Sequence, residues 1–255
     1  MVIVVAAAAM MPAFWRGLRG MSRRAIAIFA GIGLIVAVHW LTFYGSIKLA
    51  NASVAASCMG VAPVFIAVLE PWILRTRFDP RDLLIGVVAI PGVMLVVGGT
   101  PEGMRVGIAI GILSAFLVAL FGVLNKRYVR LGEPIAVTGL ELASGAAFLT
   151  LIAVASPGLS GAMPQVPGTR DAILLVILSI GCTLLPFSLS LVALRHLSAF
   201  SAQLAVSLEP VYAIVLAIVL LGEQRELGLA FYLGVAIILG SVFAHTALKL
   251  RTSAS

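Results

Sequence analysis

The sequence predicts an all-α polytopic membrane protein, with about nine transmembrane helices in two inverted-topology repeats. Three observations predict it. First, 62% of the residues are hydrophobic and only 11% charged, with a mean hydropathy of +1.17, whereas a soluble domain runs near 45–50% apolar and about 25% charged. Second, the apolar runs are about 17–23 residues long, the length of bilayer-spanning helices; the short alternating segments of a membrane barrel are absent. Third, the chain repeats itself. Lys48–Thr76 (KLANASVAASCMGVAPVFIAVLEPWILRT) is echoed by Arg195–Glu223 (RHLSAFSAQLAVSLEPVYAIVLAIVLLGE). Pro210 follows Pro63 by 147 residues, and after the next loop Gly86 and Gly92 match Gly234 and Gly240 at 148.

In chain order, residues 2–14 form a short apolar run broken by Pro12, with no basic residues ahead of it as a secretory signal would have. WRGLRGMSRR, with four arginines, leads into spans at 25–47, 54–74, 83–99, 106–124, 135–155, 172–194, 201–221 and 229–248. The span 201–221 carries Glu209 near mid-depth with Pro210 beside it, and 135–155 carries Glu141 and a small-residue face at Ala143–Ala147. The connection 156–171 is the one long loop, rich in Gly and Pro. Cys58 and Cys182 both fall in apolar runs, so no disulfide framework or thiolate metal site is implied.

The net charge of +7 reflects topology rather than a nucleic-acid surface, because the cations sit in short loops between spans. Lys48, Arg105, Arg170 and Arg225 fall on one side, and the other thirteen of the seventeen Lys and Arg on the opposite side. The positive-inside rule makes the rich side cytoplasmic, including the C-terminus. Lys48 lies on the poor side and its counterpart Arg195 on the rich side, so the two copies cross in opposite senses. Inverted repeats are the signature of secondary transporters.

The segments FYGSIKLANASVAA…APVFIAVLEPWIL and VALRHLSAFSAQLAVSLEPVYAIVLAIVLLGE resemble the EamA-type permeases of the drug/metabolite transporter superfamily. The resemblance implies two five-helix repeats, at 1–99 and 106–248, with the first copy short of its first helix. It also implies export or exchange of small metabolites such as amino acids. The second copy is the stronger match: Ala199, Glu209, Pro210, Gly222 and Glu223 keep the family's spacing. In the first copy Ala62 stands opposite Glu209, and Arg75-Thr76 replaces the Gly-Glu pair. The expected absence of a first helix also rests on the 2–14 run, whose ~20 Å of helix is shorter than a ~30 Å hydrocarbon core. It rests too on the charge count, which otherwise leaves the N-terminus outside.

The substrate-binding or coupling candidates are Glu209, Pro210, His39, Trp40, Tyr44 and Glu141. A carboxylate at bilayer depth costs roughly 2.5–3.5 kcal/mol on insertion scales, so Glu209 and Glu141 each need a reason to be there. A protonated packing residue beside the Pro210 kink, and a helix-packing role for Glu141, are the plainer readings. His39 and Phe43 share one helical face, Trp40 and Tyr44 the next, giving an aromatic wall with one imidazole. A hydrogen-bonded helix histidine and interfacial anchors are the alternatives there. Glu70-Pro71 mimics the Glu-Pro pair out of register, since Glu70 aligns with Ala217, and an interfacial ion pair with Arg75 is its expected role. Lys48 and Arg195 read as snorkelling stems, and Asn125-Lys126-Arg127 as a topology signal, with Asn125 reaching a cavity as the alternative for that residue.

No G-x-S-x-G, H-E-x-x-H or histidine pair at metal-ligand spacing is present, so no catalytic residue, metal or cofactor is assigned. The expected partners are a small-molecule solute, the lipid bilayer and protons, not nucleic acid, in a bacterial-type inner membrane. A membrane-embedded enzyme acting on a lipid-linked substrate and a non-transporting helical fragment are the alternatives.

Overall fold

The structure is a computed structural model. It describes residues 17–78, 80, 84, 91–92, 95–96, 99–155, 168–199, 202, 209–222, 227–237, 239–240 and 243. Among these every regular element is helical: α1 (Arg23–Leu49), α2 (Ala52–Met59), α3 (Ala62–Leu74), α4 (Arg105–Tyr128), α5 (Pro134–Ala155), α6 (Thr169–Ser179), α7 (Leu185–His196) and α8 (Glu209–Leu221). Helical residues 229–237 follow.

Among the described residues five stretches are long and apolar enough to cross a bilayer: Arg23–Leu49, Ala52–Leu74, Glu102–Leu131, Pro134–Ala155 and Thr169–His196. They extend the spans read from hydropathy by one to four residues at most ends, because helices run on into their polar caps. The run 2–14, the loop 156–167 and most of the span 83–99 lie outside the described residues.

Ala52–Leu74 is a helix with a stagger. Asn51, in an extended conformation, caps α2 by accepting from Val54 N–H at 2.9 Å. The helix tightens at Gly60-Val61 and restarts with Pro63 in its first turn, where a missing N–H costs nothing. α3 ends at Arg75, whose φ of 58° makes it the one non-glycine residue in the left-handed region among the described residues. α8 ends at Gly222 in the same conformation, φ 71°, with its N–H on Ile218 O. Gly222 is 147 residues after Arg75, the repeat register. Ala55 N–H to Asn51 O and Ala202 N–H to Ser198 O, both 3.1 Å, likewise fall in register.

Thr169–His196 is interrupted by a π-helical turn at Ile180–Leu184, where Leu185 N–H reaches Ile180 O. Pro186, which has no N–H to give, follows directly, and Thr183 Oγ1 donates to Leu178 O at 2.9 Å. Little of this stretch is enclosed by protein among the described residues, whereas most of Ala52–Leu74 is.

The chain divides into two compact units, each drawing on both halves of the sequence: Met1–Ala37 with Leu124–His196, and Val38–Val123 with Leu197–Ser255. In the first, α7 packs along α5 and the turn Val129–Leu131. Two cations close this unit's helix ends by donating to backbone carbonyls. Lys126 Nζ bonds Leu194 O and Arg195 bonds Gly132 O, each at 2.8 Å, with Glu133 3.8 Å from Arg195. Arg195 is therefore a clasp between elements rather than a free snorkelling stem.

In the second unit α8 packs on α2. A core of Val54, Cys58, Val96, Ile108, Leu227 and Phe231 lies beneath. Glycine sets the close approaches: a Cβ at Gly107 would stand 2.9 Å from Ala50 N, and one at Gly234 2.7 Å from Val96 N. Such small-residue seams are how helices associate where lipid removes the hydrophobic driving force.

Candidate functional site

Two polar constellations lie inside the spans, one in each unit. The first joins α1 and α4. The helices run antiparallel, with Ser46 Oγ donating to Gly107 O at 2.8 Å and Ser114 beside His39 further along. His39 is buried, and its Nδ1 lies 3.0 Å from Ser114 O and 2.9 Å from Ser114 Oγ, while Ser114 Oγ lies 3.0 Å from His39 O. A carbonyl only accepts, so the network assigns the ring proton to Nδ1 and has the Ser114 hydroxyl donate to His39 O. The result is a reciprocal clasp that fixes the ring and leaves Nε2 as its other polar edge.

Phe43 stacks on the imidazole with centroids 6.1 Å apart and meets Tyr44 edge-on at 5.7 Å. Trp40 is half-buried and Tyr44 exposed. His39 and Phe43 thus share a face, as their spacing requires, while Tyr44 presents its ring outward from the chain.

The second constellation lies where α1 crosses α5. Gly33 sits against Glu141 and Ser144, so closely that a Cβ there would meet Ser144 Oγ and Glu141 O and stand 2.8 Å from Glu141 Cα. Across the seam a Cβ on Gly145 would lie 3.0 Å from Gly33 O. Ser144 Oγ donates to Glu141 O at 3.1 Å. Glu141 is fully buried, as is Asn125 near the end of α4. The Asn125 carboxamide lies beside the Glu141 carboxyl but outside hydrogen-bonding geometry. The four polar atoms of the two side chains have no hydrogen-bond partner among the described residues.

Of the remaining candidates, Glu209 and Pro210 open the described part of α8, and their side chains lie outside the described residues. Glu70 does not serve Arg75. Its carboxyl accepts from Ala199 N–H at 3.1 Å, capping the start of a helix distant in sequence. Sequence reasoning missed this because the partner is a backbone group. It read Asn125 with Lys126 and Arg127 as a topology signal closing a span, with a cavity as the alternative for Asn125; α4 runs on to Tyr128 and buries Asn125.

Long apolar helices with lipid-facing surfaces and isolated polar groups within them define a multi-pass helical membrane protein. Residues 1–98 and 105–246 each match the EamA-like transporter family, and the chain belongs to that family. It is accordingly a membrane transporter of the drug/metabolite type, acting on small-molecule solutes. Among solved structures, a chain described only as "Crystal structure of protein" is similar in fold, with a TM-score of 0.68 and 18% identity over 98% of this chain and 86% of that one. No curated protein matches the sequence.

Proposed function

We propose that the chain is an inner-membrane secondary transporter that exports or exchanges small organic metabolites such as amino acids by alternating access, with the repeats 1–99 and 106–248 as its two halves. The observation that carries this reading is the family match in both halves of the sequence. The opposite charge flanks of Lys48 and Arg195 support an inverted relation, and the thirteen-to-four partition of cations supports a cytoplasmic C-terminus.

Glu209 with Pro210 is the proton-linked or ligand-orienting group, and His39, Trp40, Tyr44 and Glu141 are the further substrate-binding or coupling residues. The clasped imidazole supports this for His39. A fixed tautomer presents the same polar edge each time, and fixed orientation is what recognition of an amphipathic solute needs. The test is uptake and counterflow of labelled amino acids by the purified chain in liposomes. Flux that exceeds empty vesicles and falls in Glu209→Gln is expected. Product formation without flux, or no flux for any amino acid, overturns the reading.

A further inference from the structure

We propose that Glu141 and Asn125 form a proton-binding site, sealed by the crossing of α1 on α5, at which the carboxyl holds its proton while the crossing is closed. For its place in transport the proposal rests on the solute-transporter reading above; the site itself rests on the geometry.

An ionised carboxylate buried without a donor is among the most costly things a protein can hold, and such a group neutralises instead. Glu141 meets that description: fully buried, inside a span, with both oxygens unpaired among the described residues. Among the described residues no countercharge reaches it. Arg19, Arg23, Arg24, Glu133 and His196 are exposed, and Arg127 is exposed with its guanidinium 5.4 Å from the Tyr128 ring. Lys126 and Arg195 are engaged with the carbonyls of Leu194 and Gly132.

A metal cation fits poorly. Oxygen-ligated cations take about six ligands, and the unpartnered side chains among the described residues here supply three oxygens, two of Glu141 and one of Asn125. A proton needs one oxygen. Asn125 suits both states of the carboxyl, because its amide oxygen can accept from the acid and, once the carboxamide turns over about its Cβ–Cγ bond, its NH2 can donate to the carboxylate.

The seal is the glycine seam. Gly33 lies against the Glu141 backbone and Gly145 against Gly33 O, so on the α1 side of Glu141 the seam leaves no gap for water until the helices part. Parting the helices lets one proton pass from a Glu141 oxygen to water, leaving a carboxylate that Asn125 N–H then holds. Closure requires the proton to return. A proton site whose exchange requires a helix movement is the element a coupled carrier needs.

The test is infrared spectroscopy of the full chain in liposomes, which needs no transported solute. At neutral pH the wild type should show a protonated-acid carbonyl band that Glu141→Gln loses. The glutamine variant should fold normally, since both side chains are neutral and of one shape. Identical spectra for the two overturn the proposal. Should Glu141→Gln fail to fold, Asn125→Leu decides: it should shift the frequency of the same band without removing it, and an unmoved band overturns the pairing. In heavy water the band should exchange slowly, and about tenfold or more faster in Gly33→Ala, the factor each ~1.4 kcal/mol off the opening barrier gives. Equal exchange in both overturns the seal. A band that behaves as described in protein that moves no amino acid leaves the proton site standing and rejects only the solute reading.

Discussion

Gly33→Ala should weaken the first unit, and the size of the effect can be worked from the crossing. An ideal Cβ would lie 2.8 Å from Glu141 Cα, whereas ordinary contact begins at 3.4 Å. The helices must therefore part by roughly 0.6 Å on that contact alone, and a gap of 0.5–1 Å forfeits a quarter to a half of each atom-pair attraction. Overpacking of this kind costs about 1–3 kcal/mol. The upper part of that range applies, because two of the obstructing atoms are backbone and cannot rotate away. Alanine's helix preference returns at most ~0.5–1 kcal/mol. It returns less where the unfolded reference is already helical in the membrane. The net loss is about 2 kcal/mol, near thirtyfold in an unfolding equilibrium.

Gly31→Ala is the control, two positions along the same helix with nothing within 4 Å of its ideal Cβ. It should be neutral or slightly stabilising. Ser144→Ala should fail to rescue Gly33→Ala, since it removes the hydroxyl but neither backbone contact. The assay is denaturant unfolding of purified protein in detergent, comparing midpoints. Equal midpoints for Gly33→Ala and Gly31→Ala, or full rescue by Ser144→Ala, would refute the close-approach argument.

Arg75→Gly should stabilise by about 1–2 kcal/mol by relieving a left-handed non-glycine residue, and Gly222→Ala should lose a similar amount; matching signs in unfolding would count against both. Ser114→Ala should cost about 0.5–1.5 kcal/mol by removing the donor to His39 O, yet leave Nδ1 bonded to the residue-114 carbonyl, so nitrogen NMR of His39 should report an unchanged tautomer. Glu70→Ala should cost about 0.5–2 kcal/mol through loss of the cap on Ala199, while Glu70→Gln keeps an acceptor and should be tolerated; equal effects would show that the carboxylate charge, not the cap, matters. In a background with the exposed Cys182 replaced, cysteines placed at Ser160 and Thr252 should respond oppositely to an impermeant thiol reagent in intact cells, and outside labelling of both would overturn the orientation.

The spans were legible because hydropathy integrates over a whole helix, and a bilayer selects for that sum rather than for any one side chain. Helix ends rest on local backbone chemistry that hydropathy does not weigh: Pro63 in a first turn, Asn51 as a cap, Gly222 as a left-handed stop. The partners of Glu141, His39 and Glu70 were not legible. Asn125, Ser114 and Ala199 lie on other helices, and a polar residue's periodicity says which face it occupies but not what meets that face. Asn125 was further disguised by the cations beside it, which signal a membrane surface although the helix carries Asn125 itself inside. The π-helical turn at Ile180–Leu184 also escaped the sequence, since Pro186 announces a disturbance without saying how the backbone absorbs it.

The two copies of the repeat agree where the backbone is constrained and diverge where charge is concerned. Arg75 and Gly222 take the same left-handed turn at one register, and Asn51 and Ser198 accept equivalent backbone bonds. A bilayer imposes helix length and termination on both orientations alike, so these features recur even where, as at Arg75, the residue is poorly suited to them. An ionisable side chain within a span costs energy each time it appears, so a second copy is retained only if it has its own use. Ala62 opposite Glu209 and Ala217 opposite Glu70 follow from that asymmetry. Glu141 and Asn125 both fall within residues 105–246, so the proposed proton site draws on one of the two family matches.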